Sequence, residues 1–184
     1  MSGQYFSEPK QVKVKNGLVV TFRRPEIADA ERILEYLDVI FGESDNLLFG
    51  AGEFSMSVAE EEKYIENANN SKGSLLLLGV VGDEIVSIAN IDSSKQKKIA
   101  HNAEIGISVR KSHWGIGIGS AMMSELIEFA KHHGIKNVRL GVKADNANAI
   151  KLYEKCGFAK IGVQKDFFHV GDNYYDEILM VLHI

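Results

Sequence analysis

Val109-Arg110-Lys111-Ser112-His113-Trp114-Gly115-Ile116-Gly117-Ile118-Gly119-Ser120 sets three glycines at alternating positions between two segments of different periodicity. Upstream, His101 to Val109 alternates with a period of two. Ala103, Ile105, Ile107 and Val109 share one face, and Asn102, Glu104, Gly106 and Ser108 the other. Downstream, from Gly117 to about His133, the apolar residues Ile118, Met122, Leu126 and Ala130 recur every four positions, and Gly134 terminates the helix this implies. A glycine-rich junction of strand and helix is an anion site in physical terms. Exposed backbone N–H groups converge there with the positive end of the helix dipole, and glycine lets the chain approach a phosphate closely. Gly115, Ile116, Gly117, Ile118, Gly119 and Ser120 are the candidate cradle.

Other glycine turns fit this stretch less well. A Walker turn needs Gly-Lys-Ser/Thr, which does not follow here. A dinucleotide fingerprint needs G-x-G-x-x-G with an acidic residue some 20 positions on. The spacing here is G-x-G-x-G, and Asp145 falls too far downstream. A tight strand-to-helix junction without a ligand is the structural alternative.

Past the helix and Gly134, Asn137 to Val142 returns to a strand pattern, and a second distinctive segment follows. Asn146-Ala147-Asn148-Ala149-Ile150-Lys151-Leu152-Tyr153-Glu154-Lys155-Cys156-Gly157-Phe158 opens on an N-cap residue and closes on a glycine stop. It resembles the pattern Asn-x-x-Ala-x-x-Leu-Tyr-x-x-x-Gly-Phe of the GNAT superfamily of N-acetyltransferases. The glycine turn resembles that superfamily's acetyl-CoA signature, Arg/Gln-x-x-Gly-x-Gly/Ala. The ordered pair of motifs is more specific than either alone and spans roughly Ala103 to Phe158. The resemblance departs at Trp114, which stands where Arg or Gln is usual, so phosphate binding would lean on backbone amides.

The resemblance implies a mixed α/β (α+β) domain with a largely antiparallel sheet of about seven strands, flanked by helices and split between strands 4 and 5. It implies acetyl-CoA as co-substrate, its pantetheine running beside Ile107, Ser108 and Val109 as a pseudo-strand, main chain to main chain. Asn146 would combine its cap with a cofactor contact. Tyr153 would protonate or hydrogen-bond the leaving thiolate, and transfer would be direct, without an acyl-cysteine on Cys156. The acceptor would sit among the first helices, their loop and the last hairpin, where Glu43, Asp45, Glu53, Phe54, Asp166, Phe167, Phe168, Tyr174 and Tyr175 lie. Dimerisation is common among such folds, although no stripe in this sequence demonstrates it.

An amine acceptor poses a proton problem of its own. An alkylammonium of pKa ~10.4 reaches its nucleophilic form at neutral pH at a cost of about 4.6 kcal/mol, so a general base helps. Glu104 is the candidate, on the polar face of the strand that leads into the glycine turn. An ordinary solvated strand glutamate is the alternative. Arg110, Lys111 and His113 could add charge near a phosphate, although His113 reads as an exposed polar residue.

Outward from the motifs, Val12 to Arg23 is β-branched around Asn16-Gly17, suggesting a hairpin. Ile27, Ala30, Ile33, Leu34 and Leu37 have helical spacing, and Ser57 with Glu60 suggests a capped helix. Strands are expected over Ser74–Val81 and Glu84–Asp92 around Gly82-Asp83, and over Phe158–Val170 and Tyr174–His183 around Gly171-Asp172. Residues 1–10 read as a tail to a single domain of 184 residues. Apolar residues make up 45% and charged residues 25%, the balance of a globular protein, and the net charge of −4 speaks against a nucleic-acid partner. The longest apolar run, Leu75 to Val81, falls far short of the ~20 residues that span a bilayer. With no secretory signal pattern and one cysteine, a cytoplasmic location is expected, with no membrane partner. No histidine pair has metal-ligand spacing, so no metal is expected. His132 and His133 read as solvated. The competing functional class is a non-catalytic acetyl-CoA-binding module on the same fold.

Overall fold

The computed structural model describes residues 5–184; residues 1–4 of the expected tail lie outside the described residues. From Tyr5 onward the chain is docked. The Tyr5 ring meets Phe129 edge-on with centroids 5.5 Å apart, and Phe6 packs against the same core.

The Asn16-Gly17 signal is realised as the hairpin of β1 (Lys10–Lys13) and β2 (Val19–Arg23). Helix α1 (Ala30–Glu43) buries Ile33, Tyr36 and Ile40, the spacing of one helical face. Helix α2 (Val58–Asn70) starts in a reciprocal cap: the Glu60 N–H donates to Ser57 Oγ (3.3 Å) and the Ser57 N–H to Glu60 Oε2 (2.8 Å). Strands β3 (Ser74–Val81), β4 (Glu84–Ser93) and β5 (Asn102–Val109) follow, then α3 (Ile118–His132), β6 (Asn137–Lys143), α4 (Ala147–Lys155), β7 (Ala159–Val170) and β8 (Asn173–His183). Among the described residues no helix is long and apolar enough to cross a membrane.

The strands form one sheet in the order β1-β2-β3-β4-β5-β6-β8-β7. Eight strands are present rather than about seven, because the first hairpin contributes two. The expected split therefore falls between β5 and β6. The continuous apolar run of β3 reflects burial on both faces. Leu75 and Leu77 enter the core shared with α3 and α4, while Leu76, Leu78 and Val80 enter the core shared with α1 and α2.

β5 and β6 make the sheet's parallel pair, joined through α3. Their register holds from Asn102↔Asn137 to Glu104↔Arg139 and then stops. β5 stays with β4 out to Val109, and β6 stays with β8 out to Lys143, so the two halves of the sheet diverge from Glu104 onward. The start of α3 packs on one face of that divergence. A Cβ at Gly119 would lie 3.3 Å from Leu152 Cδ2 and 3.9 Å from Ile107 Cδ1, so a larger residue there would press α3 against α4.

Candidate active site

Strand alternation decides which main-chain groups line the split. The Arg110 N–H donates to Val86 O (2.9 Å), so the even-numbered residues of β5 turn their peptide groups toward β4 and the odd-numbered ones toward β6. Past Glu104, β6 is no longer there to pair. Ile107 and Val109 thus present an open edge, as expected for a pseudo-strand ligand, whereas Ser108 does not. Its peptide groups face β4, and its hydroxyl is 2.9 Å from the Tyr36 hydroxyl of α1. Burial above all pushes the Tyr36 phenol up, keeping it protonated as a partner for Ser108.

The Val109 carbonyl is already engaged. Trp114 Nε1 donates to it at 2.6 Å, folding the indole across the top of the open edge with 45% of the residue exposed. At the position where Arg or Gln is usual, Trp114 therefore contacts protein rather than waiting for phosphate.

Beyond Trp114 the chain turns through Gly115 (φ 76°) and Gly117 (φ 102°), both in the left-handed region that favours glycine. The first bond into α3 is Ala121 N–H to Gly117 O (3.1 Å). The N–H groups from Gly115 to Ser120 meet no acceptor among the described residues. This run of unpaired donors at a helix start fits the pyrophosphate of a nucleotide-bearing ligand, the test that the donor set itself provides. Lys15 adds a cation that sequence reading missed. Its N–H donates to Ile116 O (3.0 Å), and its stem lies along Gly117, whose Cβ position is 3.7 Å from Lys15 Cγ. About 100 residues separate the two, and no local pattern links them. Arg110, by contrast, is committed to Glu43 (3.2 Å) and Glu84 (3.5 Å). His113 pairs with its neighbour Ser112 (2.8 Å).

On the far side of the split, Asn146 caps α4 by accepting the Ala149 N–H at 3.2 Å, and among the described residues no partner occupies its amide Nδ2. Asp145 is not the cap. Both its oxygens take the ammonium of Lys143 (2.7 and 2.8 Å), a lysine only 4% exposed that also lies 3.5 Å above the Tyr175 ring. A cavity of ≈ 360 Å³ opens here, lined by Asp45, Asn46, Asp145, Asn146 and Asn148.

Tyr153, one turn from the end of α4, is 8% exposed and packs on Phe158 with centroids 6.0 Å apart. Among the described residues its hydroxyl has no hydrogen-bond partner, yet it is not sealed from solvent as Ser87 Oγ is. The hydroxyl therefore reaches open space. Burial, and secondarily Cys156, pushes its pKa up to about 12, so it is a protonated donor at neutral pH. Cys156 itself packs against the core, and burial pushes its thiol up, away from the thiolate a nucleophile needs.

Glu104 lies at the last paired position of β5, where the sheet begins to part. Its carboxylate is 64% exposed and 3.1 Å from the Arg139 guanidinium. Asp92 is its direct partner on β4 and holds the Asn90 amide at 2.8 Å. Glu177 reaches across from β8 so that a Cβ at Gly141 would overlap its carboxylate; burial, and then the charge of Glu104, raises its pKa. These acids share the sheet face that carries α1 and α2.

Several residues of the expected acceptor region have partners within the chain. Glu43 is used up by Arg110 and the Lys111 N–H (2.7 Å), and Glu53 closes its own loop by accepting the Gly50 N–H (2.8 Å). Phe54 packs with Phe41 and Phe49 at 5.2–5.4 Å between centroids. Asp166 (φ 53°) sits in a β7 bulge pinned by Asp176, beside the edge-on pair Phe167 and Phe168. His132 and His133 are not merely solvated: His133 stacks on Phe129 at 3.9 Å, and His132 lies 5.5 Å from the Tyr5 ring. Among the described residues no group of three His, Cys, Asp or Glu is placed to hold a metal ion.

Comparison with known proteins bears on this geometry. Residues 43–158, more than half of the chain, match the family described as Acetyltransferase (GNAT) family. An L-amino acid N-acetyltransferase of Escherichia coli K12 is 30% identical over 116 residues, covering 62% of this chain and 72% of that protein. The ribosomal protein bS18-alanine N-acetyltransferase of the same organism is 33% identical over 78 residues, 42% of this chain and about half (53%) of that protein. Among solved structures, an acetyltransferase of the GNAT family from Streptococcus pneumoniae superposes with a TM-score of 0.86 at 27% identity, over 90% of this chain and 99% of that one.

Proposed function

Because this chain belongs to the acetyltransferase (GNAT) family, we propose that it transfers an acetyl group from acetyl-CoA directly to a primary amine, with Glu104 as general base and Tyr153 as donor to the leaving sulfur. The observation that carries this reading is the open edge of β5, which leads from the unpaired N–H groups of Gly115–Ser120 to the carboxylate of Glu104 at the apex of the split.

Bound acetyl-CoA supplies an activated thioester. The N–H groups from Gly115 to Ser120 bind its pyrophosphate, with Lys15 adding charge and Ile118 opening the helix whose dipole favours the anion. The main chain of Ile107 and the Val109 N–H hold the pantetheine arm as an added strand. Asn146 offers its free amide from the opposite wall. Glu104, directly or through one water, accepts the proton that the ammonium must lose, a cost of about 4.6 kcal/mol at neutral pH. Arg139 holds that carboxylate in one orientation. Tyr153 donates a hydrogen bond to the departing thiolate. With its pKa near 12 against about 8.5 for a thiol, full proton transfer would be uphill by roughly 5 kcal/mol, so the phenol stabilises the thiolate without giving up its proton.

The acceptor classes consistent with this site are a small amine, a polyamine or a peptide N-terminus. Two assays test the reading. Acetyl-CoA is expected to raise the melting temperature where NAD and ATP do not. Thiol release is expected to depend on added amine. Thiol release that no amine accelerates would instead support a non-catalytic acetyl-CoA-binding module.

A further inference from the structure

Resting on the acetyl-CoA reading, we propose that Trp114 is a positioning residue for the cofactor. By donating to the Val109 carbonyl it holds the glycine turn in the shape that binds pyrophosphate, achieving by pre-organisation what a charged side chain achieves by contact. The pointer is where the polar groups of the turn go. The carbonyls of Val109, Arg110, Lys111, Ile116 and Gly117 are all engaged from within the chain. Trp114 Nε1 donates to the first at 2.6 Å. The N–H groups of His113 (2.8 Å), Trp114 (3.3 Å), Lys15 (3.0 Å) and Ala121 (3.1 Å) donate to the other four. The N–H groups from Gly115 to Ser120 meet no acceptor among the described residues. Acceptors are thus tied inward while donors stay open, the polarity that an anion requires.

Four of those five carbonyls are held by main-chain N–H groups, which the backbone supplies whatever the side chains. The fifth is held by a side chain, and so by the choice of residue at 114. Packing does little else to fix this stretch. A Cβ at Gly115 would meet nothing within 4 Å, and Lys111, Ser112 and Trp114 are exposed. Gly115 and Gly117 give the chain further freedom, because glycine takes either sign of φ readily.

The indole bond ties the end of β5 to the residue directly before Gly115. It acts in two ways. It orders the turn before the ligand arrives, which lowers the conformational cost of binding. It also occupies the carbonyl oxygen that stands between the open edge of β5 and the N–H cradle, where a free acceptor would face the phosphate oxygens with its negative end.

The sequence holds one tryptophan, so replacing tryptophan throughout by β-(3-benzothienyl)alanine changes this position alone. It exchanges the indole N–H for sulfur at nearly constant shape. Trp114→Phe is the second variant. Both are expected to weaken acetyl-CoA binding about three- to tenfold by calorimetry, the range of one hydrogen bond. In the thiol-release assay kcat at saturating acetyl-CoA should stay within about twofold of wild type, and the melting temperature within about 2 °C. S-Acetylpantetheine, which lacks the pyrophosphate, should keep its kcat/KM within about twofold in both variants. Wild-type affinity for acetyl-CoA in the benzothienyl protein, or an equal loss toward S-acetylpantetheine and acetyl-CoA, would overturn the role of the indole N–H and leave acetyl transfer standing. Failure of the wild-type chain to bind acetyl-CoA would refute both this role and the reading on which it rests.

Discussion

Replacing Tyr153 with phenylalanine separates the chemistry of that side chain from its packing, because the structure makes the two independent. The ring is buried against Phe158, while the hydroxyl bonds to nothing among the described residues. Deleting it breaks no hydrogen bond, so the melting temperature should move by less than about 2 °C. In catalysis the same oxygen is asked to stabilise a thiolate. A hydrogen bond to a charged group contributes about 1.5–3 kcal/mol, so kcat should fall roughly 10- to 150-fold. The affinity for acetyl-CoA, whose sulfur is neutral before transfer, should change less than about threefold. Since burial holds the phenol near 12, it does not titrate between pH 6 and 10, and the pH profiles of wild type and variant should run parallel. Thiol release under saturating amine measures kcat, and titration calorimetry measures affinity. A kcat within twofold of wild type, or an equal loss in kcat and in acetyl-CoA affinity, would remove Tyr153 from the mechanism.

Glu104→Gln should lower kcat/KM for the amine about 10²- to 10⁴-fold near neutral pH and flatten the acidic limb of its pH profile, while acetyl-CoA affinity is retained; unchanged turnover and profile would refute the assignment. Gly117→Ala forces a Cβ into φ 102°, costing about 1–2 kcal/mol of stability and distorting the N–H cradle, so acetyl-CoA affinity should fall at least about tenfold, read by calorimetry. Asp29 tests acid stability: burial pushes its carboxyl up, but the bidentate Arg23 contact (2.6 and 2.7 Å) and the Glu26 N–H (2.8 Å) outweigh burial and hold it below the usual aspartate range. A depressed carboxyl contributes stability that is complete above its unfolded pKa of about 3.9 and is lost as pH falls through the lower folded value. Asp29→Asn should therefore cost about 3 kcal/mol in urea melts at pH 7 and lose less stability than wild type below about pH 4.

Much of the site's outline could be read in one dimension because it is built from local rules. The period-two face of Asn102–Val109, the glycines that need positive φ, the four-residue spacing of α3 and the Asn146 cap each depend on residues within a few positions of one another. The same holds for the Ser57 and Glu60 cap of α2. The reach of these rules ends where partners come from afar. Lys15 meets the glycine turn from the first hairpin, Glu43 takes Arg110 from the end of α1, and Trp114 takes the Val109 carbonyl that lay open in the sequence reading. Ser108 looked equivalent to its neighbours until the β4 register showed which way its peptide groups turn.

What the sequence by itself determined is the set of elements and the ordered pair of motifs, since hydrophobic period, capping and glycine placement act over a turn or a strand. Only the tertiary structure decided where the sheet parts, since the pairing of β5 with β6 joins residues 35 positions apart and ends at Glu104↔Arg139. It also decided which acids share a face. Asp92, Glu104 and Glu177 lie on three different strands, and charges so far apart in the chain acquire a common field only when the sheet brings them within reach of one another.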